Sequence, residues 1–298
     1  MSGYIYGLFW NNGCKNFDFV YTESDSDKKI INTQNLDKIN TLKIHSVELN
    51  NIQLDNINDK FCNLSFESLI INRCVLESIE NLKQNKSLKK LIIIDSDVKN
   101  FNKLEDMNIE ELTIISTKNI GLDEILNMKK LKILNYKSNK ITLLPNLELL
   151  ENLITLNLSD NSISDITNLG YLKNLLSIDI GHNELDNIDL LNKYHKLKYV
   201  YLNNNKLKNI DKLQNNTNIK YLVVNNNLIE NINIITHFED LEFLNILENP
   251  ILHLPDLFKF KKLDLENLKI NWKNIVDMKG MKGLSLIKNI IKSMINHN

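Results

Sequence analysis

The sequence predicts an α/β solenoid, a stack of about eleven short repeats that each add one strand to a parallel sheet. Three observations predict this fold class. The pattern LxxLxLxxNxI, which residues 153–163 spell out, recurs with a period of 22 residues. Apolar residues then continue at every third position until the next copy begins. Leu, Ile and Asn, the residue types that this pattern uses, make up 139 of the 298 residues.

The regular repeats lie in the second half of the chain and keep one register. They begin at Leu131, Leu153, Leu175, Leu197, Ile219 and Leu241, and eight residues later each has an asparagine: Asn139, Asn161, Asn183, Asn205, Asn227 and Asn249. Alternate strand residues point to opposite faces, so positions 4 and 6 should enter the core and positions 3, 5 and 7 should face outward. Because an amide both donates and accepts hydrogen bonds, the asparagines are expected to form a ladder that satisfies the backbone where each strand ends.

Degenerate copies precede the regular ones. They begin at Ile39, Phe66, Leu88 and Ile109, and their ladder position holds Val47, Cys74, Ser96 and Thr117. The last three side chains replace an asparagine only in part, so we expect the early repeats to be less regular. A final, slipped copy spans residues 265–270. The period-three stretches between strands suit a 3-10 or short helical return path.

This pattern resembles that of leucine-rich repeat proteins. The 22-residue length and the phrase at residues 161–169 resemble the short-repeat subclass, which includes the protein-phosphatase regulatory type and the bacterial internalins. The resemblance covers residues 39–270. It implies a horseshoe with a concave parallel sheet, a 3-10 or irregular convex side, and capped ends.

Two segments outside the repeats are expected to be the caps. Alternating apolar residues on both sides of Asn12-Gly13 predict a β-hairpin over residues 1–22, within an N-terminal cap of residues 1–38. At the other end, residues 271–298 are expected to form a capping helix whose apolar face contains Leu284, Ile287, Ile291 and Met294. The lysines of this segment also allow binding to a membrane or an acidic partner, but a solvated lysine face is the simpler interpretation.

The register identifies the side chains that a partner would meet on the concave face. One apolar area contains Tyr199, Tyr201, Tyr221, Val223, Phe243 and Leu247. A second area contains Ile92, Ile94 and Ile115, together with Ile70 and Ile133. Exposed aromatic residues on a rigid scaffold are typical of interaction surfaces. The alternative is that these residues only pack against one another along the sheet, and the isoleucines lie in degenerate repeats where the register is less secure.

The sequence offers little chemistry. No alanine is present, which disfavours helical bundles and Rossmann-like folds. The net charge of −1 and the single arginine, Arg73, disfavour nucleic-acid binding. Ser159, Asp160 and His182 lack the elbow and oxyanion hole of a catalytic triad, and Cys62, Cys74 and His45 lack metal-ligand spacing. We therefore expect no catalysis, no metal, no cofactor and no membrane span.

These observations predict a non-catalytic protein-interaction module, an adaptor or regulatory subunit that binds a protein on its concave face. We expect a cytoplasmic monomer, because no signal peptide is recognised and the odd number of cysteines, three, fits a reducing compartment. The alternative is a secreted or surface-displayed receptor-binding protein of the internalin kind.

Overall fold

A computed structural model describes residues 4–9, 18–22, 28–32, 44–51, 53–57, 62–63, 65–101, 104, 107–118, 120–265, 267–271, 274–275 and 277–278. The chain forms two compact units. Unit 1 comprises Met1–Asn161 and Asn168–Asn174, and unit 2 comprises Ser162–Thr167 and Leu175–Asn298.

Unit 1 contains β-strands from both the predicted cap and the repeats: β1 (Tyr4–Phe9), β2 (Asp18–Thr22), β3 (Lys28–Asn32), β4 (Ile44–Asn50), β5 (Gln53–Asn56), β6 (Phe66–Asn72), β7 (Val75–Ser78), β8 (Lys90–Ile94), β9 (Asp97–Asn100), β10 (Glu111–Ile115), β11 (Ile133–Asn135) and β12 (Thr155–Asn157). Its larger sheet follows the order β12-β11-β10-β8-β6-β4-β1-β2-β3. Strands from successive repeats pair in parallel. This arrangement confirms the predicted solenoid sheet.

The first repeat starts later than the sequence indicated. In the structure Ile44 pairs with Phe66 and Val47 pairs with Leu69, so the repeat begins at Ile44 and not at Ile39. Val47 is a buried strand residue and not a ladder residue. This correction gives the spacing to the next repeat the usual 22 residues. The prediction of irregular early repeats is wrong for their strands, because β4, β6, β8 and β10 pair without a slip.

The return side of unit 1 carries more strand than expected. Two 3-10 turns, Glu80–Gln84 and Leu122–Ile125, fit the predicted path. However, β5, β7 and β9 also form a second parallel sheet there. The sequence analysis did not foresee this sheet.

The N-terminal strands pair as a hairpin does. Strands β1 and β2 are antiparallel, with an irregularity between Ile5 and Leu8. The antiparallel strand β3 follows β2, which the sequence analysis missed. Leu8 pairs in parallel with Leu49 of β4, so β1 covers the edge that the first repeat would otherwise leave open. The extent of the cap, residues 1–38, stays a prediction.

Unit 2 contains short strands and frequent turns. The strands are β13 (Ser177–Asp179), β14 (Tyr199–Tyr201), β15 (Tyr221–Val223), β16 (Phe243–Asn245), β17 (His253–Leu254) and β18 (Asp277–Met278). The first four pair in parallel and in register. The 3-10 turns are Asp189–Lys193, Asp211–Asn215, Asn233–His237 and Leu257–Lys259, and a further turn spans Thr167–Leu169.

The C-terminal helix prediction needs a correction at its start. Asp277 and Met278 form β18, which pairs in parallel with β17, so the described part of residues 271–278 contains a strand. The predicted apolar helix face, from Leu284 to Met294, lies outside the described residues.

The strands bury the side chains that the register assigned to the core. In unit 2, Ile178, Val200, Leu222 and Leu244 at position 4 are fully buried. At position 6 of the first regular repeat in unit 1, a tyrosine replaces the usual aliphatic residue. The Tyr136 side chain is buried and its hydroxyl donates a hydrogen bond to the carbonyl of Ile120.

Asn205 illustrates how one ladder amide serves several backbone groups. Its Oδ1 accepts the backbone N–H of Leu185 at 2.9 Å. Its Nδ2 donates to the carbonyls of Ile180 at 3.0 Å, Leu202 at 3.1 Å and Asn203 at 3.4 Å. Equivalent bonds recur at Asn183, Asn227 and Asn249. The amide therefore satisfies buried backbone groups of two successive repeats, which would be costly to leave unpaired.

Position 8, just before the ladder, adopts a left-handed backbone in ten successive repeats. None of these residues is glycine, although an L-residue pays a steric cost there. They are Asn51, Arg73, Asp95, Ser116, Ser138, Asp160, His182, Asn204, Asn226 and Glu248, with φ between 48° and 60°. The sharp turn after each strand is thus the same in both units, whatever residue occupies it.

Candidate functional site

Three aromatic rings form a continuous row on the outward face of unit 2. Tyr199, Tyr221 and Phe243 all occupy position 3, and strand pairing places them side by side. The ring centroids of Tyr199 and Tyr221 are 5.3 Å apart, and those of Tyr221 and Phe243 are 5.8 Å apart. We call these three residues the aromatic row. Its spacing follows from the strands, which lie about 4.8 Å apart in a sheet.

The rings stack on one another and remain partly open to solvent. The planes of Tyr221 and Phe243 are 20° apart, and those of Tyr199 and Tyr221 are 33° apart. Tyr221 and Phe243 are half-buried, whereas Tyr199, at the end of the stack, is 37% exposed. Both readings of the sequence therefore apply together: the rings pack along the sheet, and they also present apolar surface outward.

A second row at position 5 continues the apolar surface. Tyr201 and Val223 are half-buried neighbours on β14 and β15, and Leu247 lies at position 7 of the next repeat. Burial raises the pKa of the Tyr201 hydroxyl, and the negative charge of Asp179 raises it further. Asp179 pairs with Tyr201 across the strands. The apolar area predicted from the sequence thus has a carboxylate at its edge.

The outward face of unit 2 is almost free of charge. Positions 3, 5 and 7 along β13 to β16 carry one ionisable acid or base besides tyrosine, Asp179. An ion pair lies just outside these positions, where Lys220 Nζ is 2.7 Å from Glu242 Oε1. The Glu242 carboxylate raises the pKa of Lys220 by a hydrogen bond and by charge attraction.

A glycine in this face makes room for an amide from the next strand. Gly181 is buried, and a Cβ atom at this position would lie 2.6 Å from Asn203 Oδ1. No side chain larger than hydrogen fits there unless Asn203 moves. The Asn203 amide therefore reaches over Gly181, on the side of the sheet where Asp179 lies.

The isoleucine area belongs to unit 1. Ile70 pairs with Ile92, and Ile94 pairs with Ile115, so these four residues form two adjacent rows. Ile133 lies in another row, beside Glu111. All five side chains are half-buried. The pairing also places Glu48 in the row that contains Ile70.

The residues considered for catalysis or metal binding have other roles. Asp160 forms an ion pair with Lys137 at 2.9 Å. His182 Nε2 lies 3.1 Å from Asn204 Nδ2, and Ser159 is buried. Cys62 and Cys74 are buried free thiols, and the Cys74 thiol donates to the carbonyl of Leu49 at 3.3 Å. The His45 side chain lies outside the described residues.

The described residues contain neither a cluster of metal ligands nor a membrane-spanning helix. No group of His, Cys, Asp and Glu side chains among them is arranged to hold a metal ion. Among these same residues, no helix has the length and hydrophobicity needed to cross a membrane.

The sequence analysis identified the aromatic row but not the change in side-chain size at its end, which we call the step. Ser177 occupies position 3 of β13, directly beside Tyr199. The sequence does contain a signal for this step, because a small residue at position 3 is followed by a large residue at the same position of the next repeat. The position of the Asn203 amide over Gly181 had no such signal, because it depends on a side-chain conformation.

Comparison with known proteins identifies the fold. No protein-family model matches the sequence, and no curated protein matches it. Among solved structures, an internalin (InlF) of Listeria monocytogenes has a TM-score of 0.58 and 19% identity, covering 86% of this chain and 84% of that one. A leucine-rich repeat protein of Leptospira interrogans has a TM-score of 0.64 and 23% identity, covering 79% and 62%. TLR13, solved as a complex with ssRNA, has a TM-score of 0.62 and 20% identity, covering 77% and 36%. The chain therefore has the leucine-rich repeat fold.

Proposed function

We propose that this chain is a non-catalytic interaction module that binds a protein partner through the outward face of unit 2. The observation that carries the proposal is the aromatic row, three stacked and partly exposed rings on consecutive strands. Together with Tyr201, Val223 and Leu247, it forms one apolar area. Aromatic side chains supply large contact area and lose few rotamers on binding, so they often dominate the energy of interfaces.

A protein partner fits this face better than a nucleic acid. TLR13 is similar in fold and was solved with RNA, but phosphates require lysine or arginine. Positions 3, 5 and 7 along β13 to β16 contain neither. An apolar face with a single carboxylate instead favours a partner with apolar side chains.

We further propose that the module is an adaptor or regulatory subunit of the short-repeat subclass, and a cytoplasmic monomer. The two buried free thiols, Cys62 and Cys74, are compatible with a reducing compartment. The isoleucine area of Ile92, Ile94 and Ile115 is a second candidate contact area, since its side chains are half-buried on rigid strands.

A secreted or surface-displayed receptor-binding role is the alternative. It is favoured by the similarity to an internalin over most of both chains. Locating the native, untagged protein separates the two roles: an adaptor would be found in the cytoplasm, and a receptor-binding protein at the cell surface or in the medium.

The test is the combined substitution of Tyr199, Tyr221 and Phe243 by alanine. Native protein and variant are used to purify binding partners from cells of the source organism, followed by quantitative mass spectrometry. A specific partner should lose at least about tenfold in recovery, because the variant removes the central contact area.

The matched control is Tyr171→Ala, which removes a tyrosine that is 45% exposed outside the strands. This control should retain the partner. Circular dichroism and thermal unfolding check that each variant folds. Equal recovery by native protein and folded triple variant would exclude the aromatic row as the binding surface.

A further inference from the structure

We propose that the step between Ser177 and Tyr199 receives a lysine or arginine side chain of the partner, which pairs with Asp179 while it lies against the Tyr199 ring. This inference rests on the proposed function, because it assigns a chemistry to one end of the same surface.

The step arises from a change in side-chain size between adjacent strands. Ser177 and Tyr199 are paired neighbours at position 3. Tyr221 packs against one side of Tyr199 at 5.3 Å, whereas on the other side the next position holds only a serine. Tyr199 is accordingly the ring of the row with the greatest exposure. The side of the Tyr199 ring toward Ser177 therefore has a smaller neighbour than the side toward Tyr221.

The polar groups beside this step include two hydrogen-bond acceptors, the Asp179 carboxylate and the Asn203 amide oxygen. Asp179 lies two residues after Ser177 on the same strand, and its Oδ1 accepts the backbone N–H of Gly181 at 3.0 Å, which fixes the carboxylate. The amide oxygen of Asn203 reaches over Gly181, as the 2.6 Å approach to a Cβ position there shows. A ligand group with several N–H donors and a positive charge complements this arrangement.

Lysine and arginine side chains supply those features. Either cation is attracted to the face of an aromatic ring, including that of tyrosine. Their N–H groups also donate charge-assisted hydrogen bonds to a carboxylate. An acidic partner side chain would be repelled, since Asp179 is the one charged residue at positions 3, 5 and 7 of β13 to β16. Of the two lysines that directly precede the tyrosines of the aromatic row, Lys198 and Lys220, the second is paired with Glu242.

The geometry also predicts the spacing of a recognition motif. A ligand that reaches from Asp179 to Val223 crosses the spacing between neighbouring strands twice, roughly 10 Å in all. This distance corresponds to about three residues of an extended peptide. The partner segment should therefore carry a basic residue about three positions from an apolar residue that packs on Val223 and the aromatic row.

The experiment is selection from a random-peptide phage library on the native protein and on three variants. The native protein should select peptides with a lysine or arginine at this spacing from an apolar residue. Asp179→Asn should still select the apolar residue, while the frequency of basic residues falls to that of the unselected library. The triple alanine variant of the aromatic row should select neither. Glu248→Gln, which removes an exposed carboxylate at position 8 of the same unit, should behave as the native protein does.

Affinity measurements on one selected peptide give the size of the effect. Fluorescence polarisation should show about tenfold weaker binding to Asp179→Asn, and no change with Glu248→Gln. Gly181→Ala should also weaken binding, because a Cβ displaces the Asn203 amide.

The possible failures are distinct. If native protein selects apolar peptides without basic residues, or if Asp179→Asn binds the peptide unchanged, the inference is wrong and the proposed function stands. If the native protein selects no peptide family, or the triple alanine variant selects the same one, both are wrong. Circular dichroism identifies any variant that fails to fold, and Asp179→Ser then serves as the second variant at this position.

Discussion

In the repeats that carry β6, β8 and β10, the ladder position holds Cys74, Ser96 or Thr117. In the repeats that carry β13 to β16, it holds an asparagine. Ser96 Oγ accepts the backbone N–H of Cys74 at 3.0 Å and lies 2.7 Å from the carbonyl of Ile94 and 3.4 Å from that of Ile71. This is fewer backbone groups than Asn205 serves. The small ladder residues therefore leave more of the backbone for other partners to satisfy.

The early repeats also differ in their strands. Strands β6, β8 and β10 contain five to seven residues, whereas β13 to β16 contain three. Beyond the ladder, β5, β7 and β9 pair with each other, whereas 3-10 turns occur on the return side of both units. Buried backbone groups must be paired in both cases. Backbone pairing in unit 2 also continues past its three-residue strands, for example from the Asn204 N–H to the Asn225 carbonyl, so the two regions differ mainly in the ladder side chain and in the presence of β5, β7 and β9.

The largest effect should come from removing a ladder amide. Asn205→Ala leaves the Leu185 N–H and several carbonyls without their partner, and should lower the free energy of unfolding by about 3 to 5 kcal/mol. Ser96→Ala should cost less, about 1 to 2 kcal/mol. Urea unfolding measures both values.

Hydrogen exchange provides the control for this comparison. The amide of Leu185 should lose protection in Asn205→Ala and keep it in Ser96→Ala. Equal losses in the free energy of unfolding would mean that the asparagine and the serine stabilise their repeats to the same extent. The proposed difference between the two regions would then be wrong.

The next effect concerns Tyr136, the tyrosine that fills position 6 of the first regular repeat. Tyr136→Phe removes the hydrogen bond to Ile120 and should cost about 1 to 2 kcal/mol at neutral pH. Burial raises the pKa of Tyr136 to about 12. A raised pKa means that the folded state disfavours the ionised phenol, so this contribution is complete below the unfolded value near 10 and is lost as the pH rises toward about 12.

Comparing native protein with Tyr136→Phe isolates this titration from those of other tyrosines and lysines. Chemical unfolding at a series of pH values should show the difference between the two proteins shrinking above pH about 10. A difference that stays constant up to pH about 12 would show that Tyr136 ionises equally well in the folded chain.

The smallest effect should be the same in both regions. Arg73 and Glu248 each adopt the left-handed backbone at position 8, with φ of 53° and 52°. Asparagine tolerates this conformation better than most L-residues, so Arg73→Asn and Glu248→Asn should each stabilise the chain by about 0.5 kcal/mol. Thermal unfolding tests this. A gain at one site only would show that the turns differ, which would extend the contrast beyond the ladder.

Residue patterns predicted the register of the repeats because the pattern repeats a physical requirement. Leu, Ile and Val at positions 4 and 6 must be buried, and the asparagine must lie where the strand ends. The first repeat was misplaced by five residues, from Ile44 to Ile39, because eight residues after Ile44 the sequence has an isoleucine, and neither an asparagine nor one of the small residues of the next three repeats marks the end of the strand. The candidate site was found because Tyr199, Tyr221 and Phe243 interrupt an otherwise uniform set of residue types.

The sequence by itself determined the 22-residue period, the buried and outward positions, and the alignment of the aromatic row, because each depends only on chain spacing and side-chain polarity. The tertiary structure decided the second sheet of β5, β7 and β9, the stacking of the rings, and the placement of the Asn203 amide over Gly181. These features depend on which neighbouring chain satisfies a backbone group and on which rotamer a side chain adopts. Contacts between residues that are distant in sequence determine both, and a periodic pattern does not encode them.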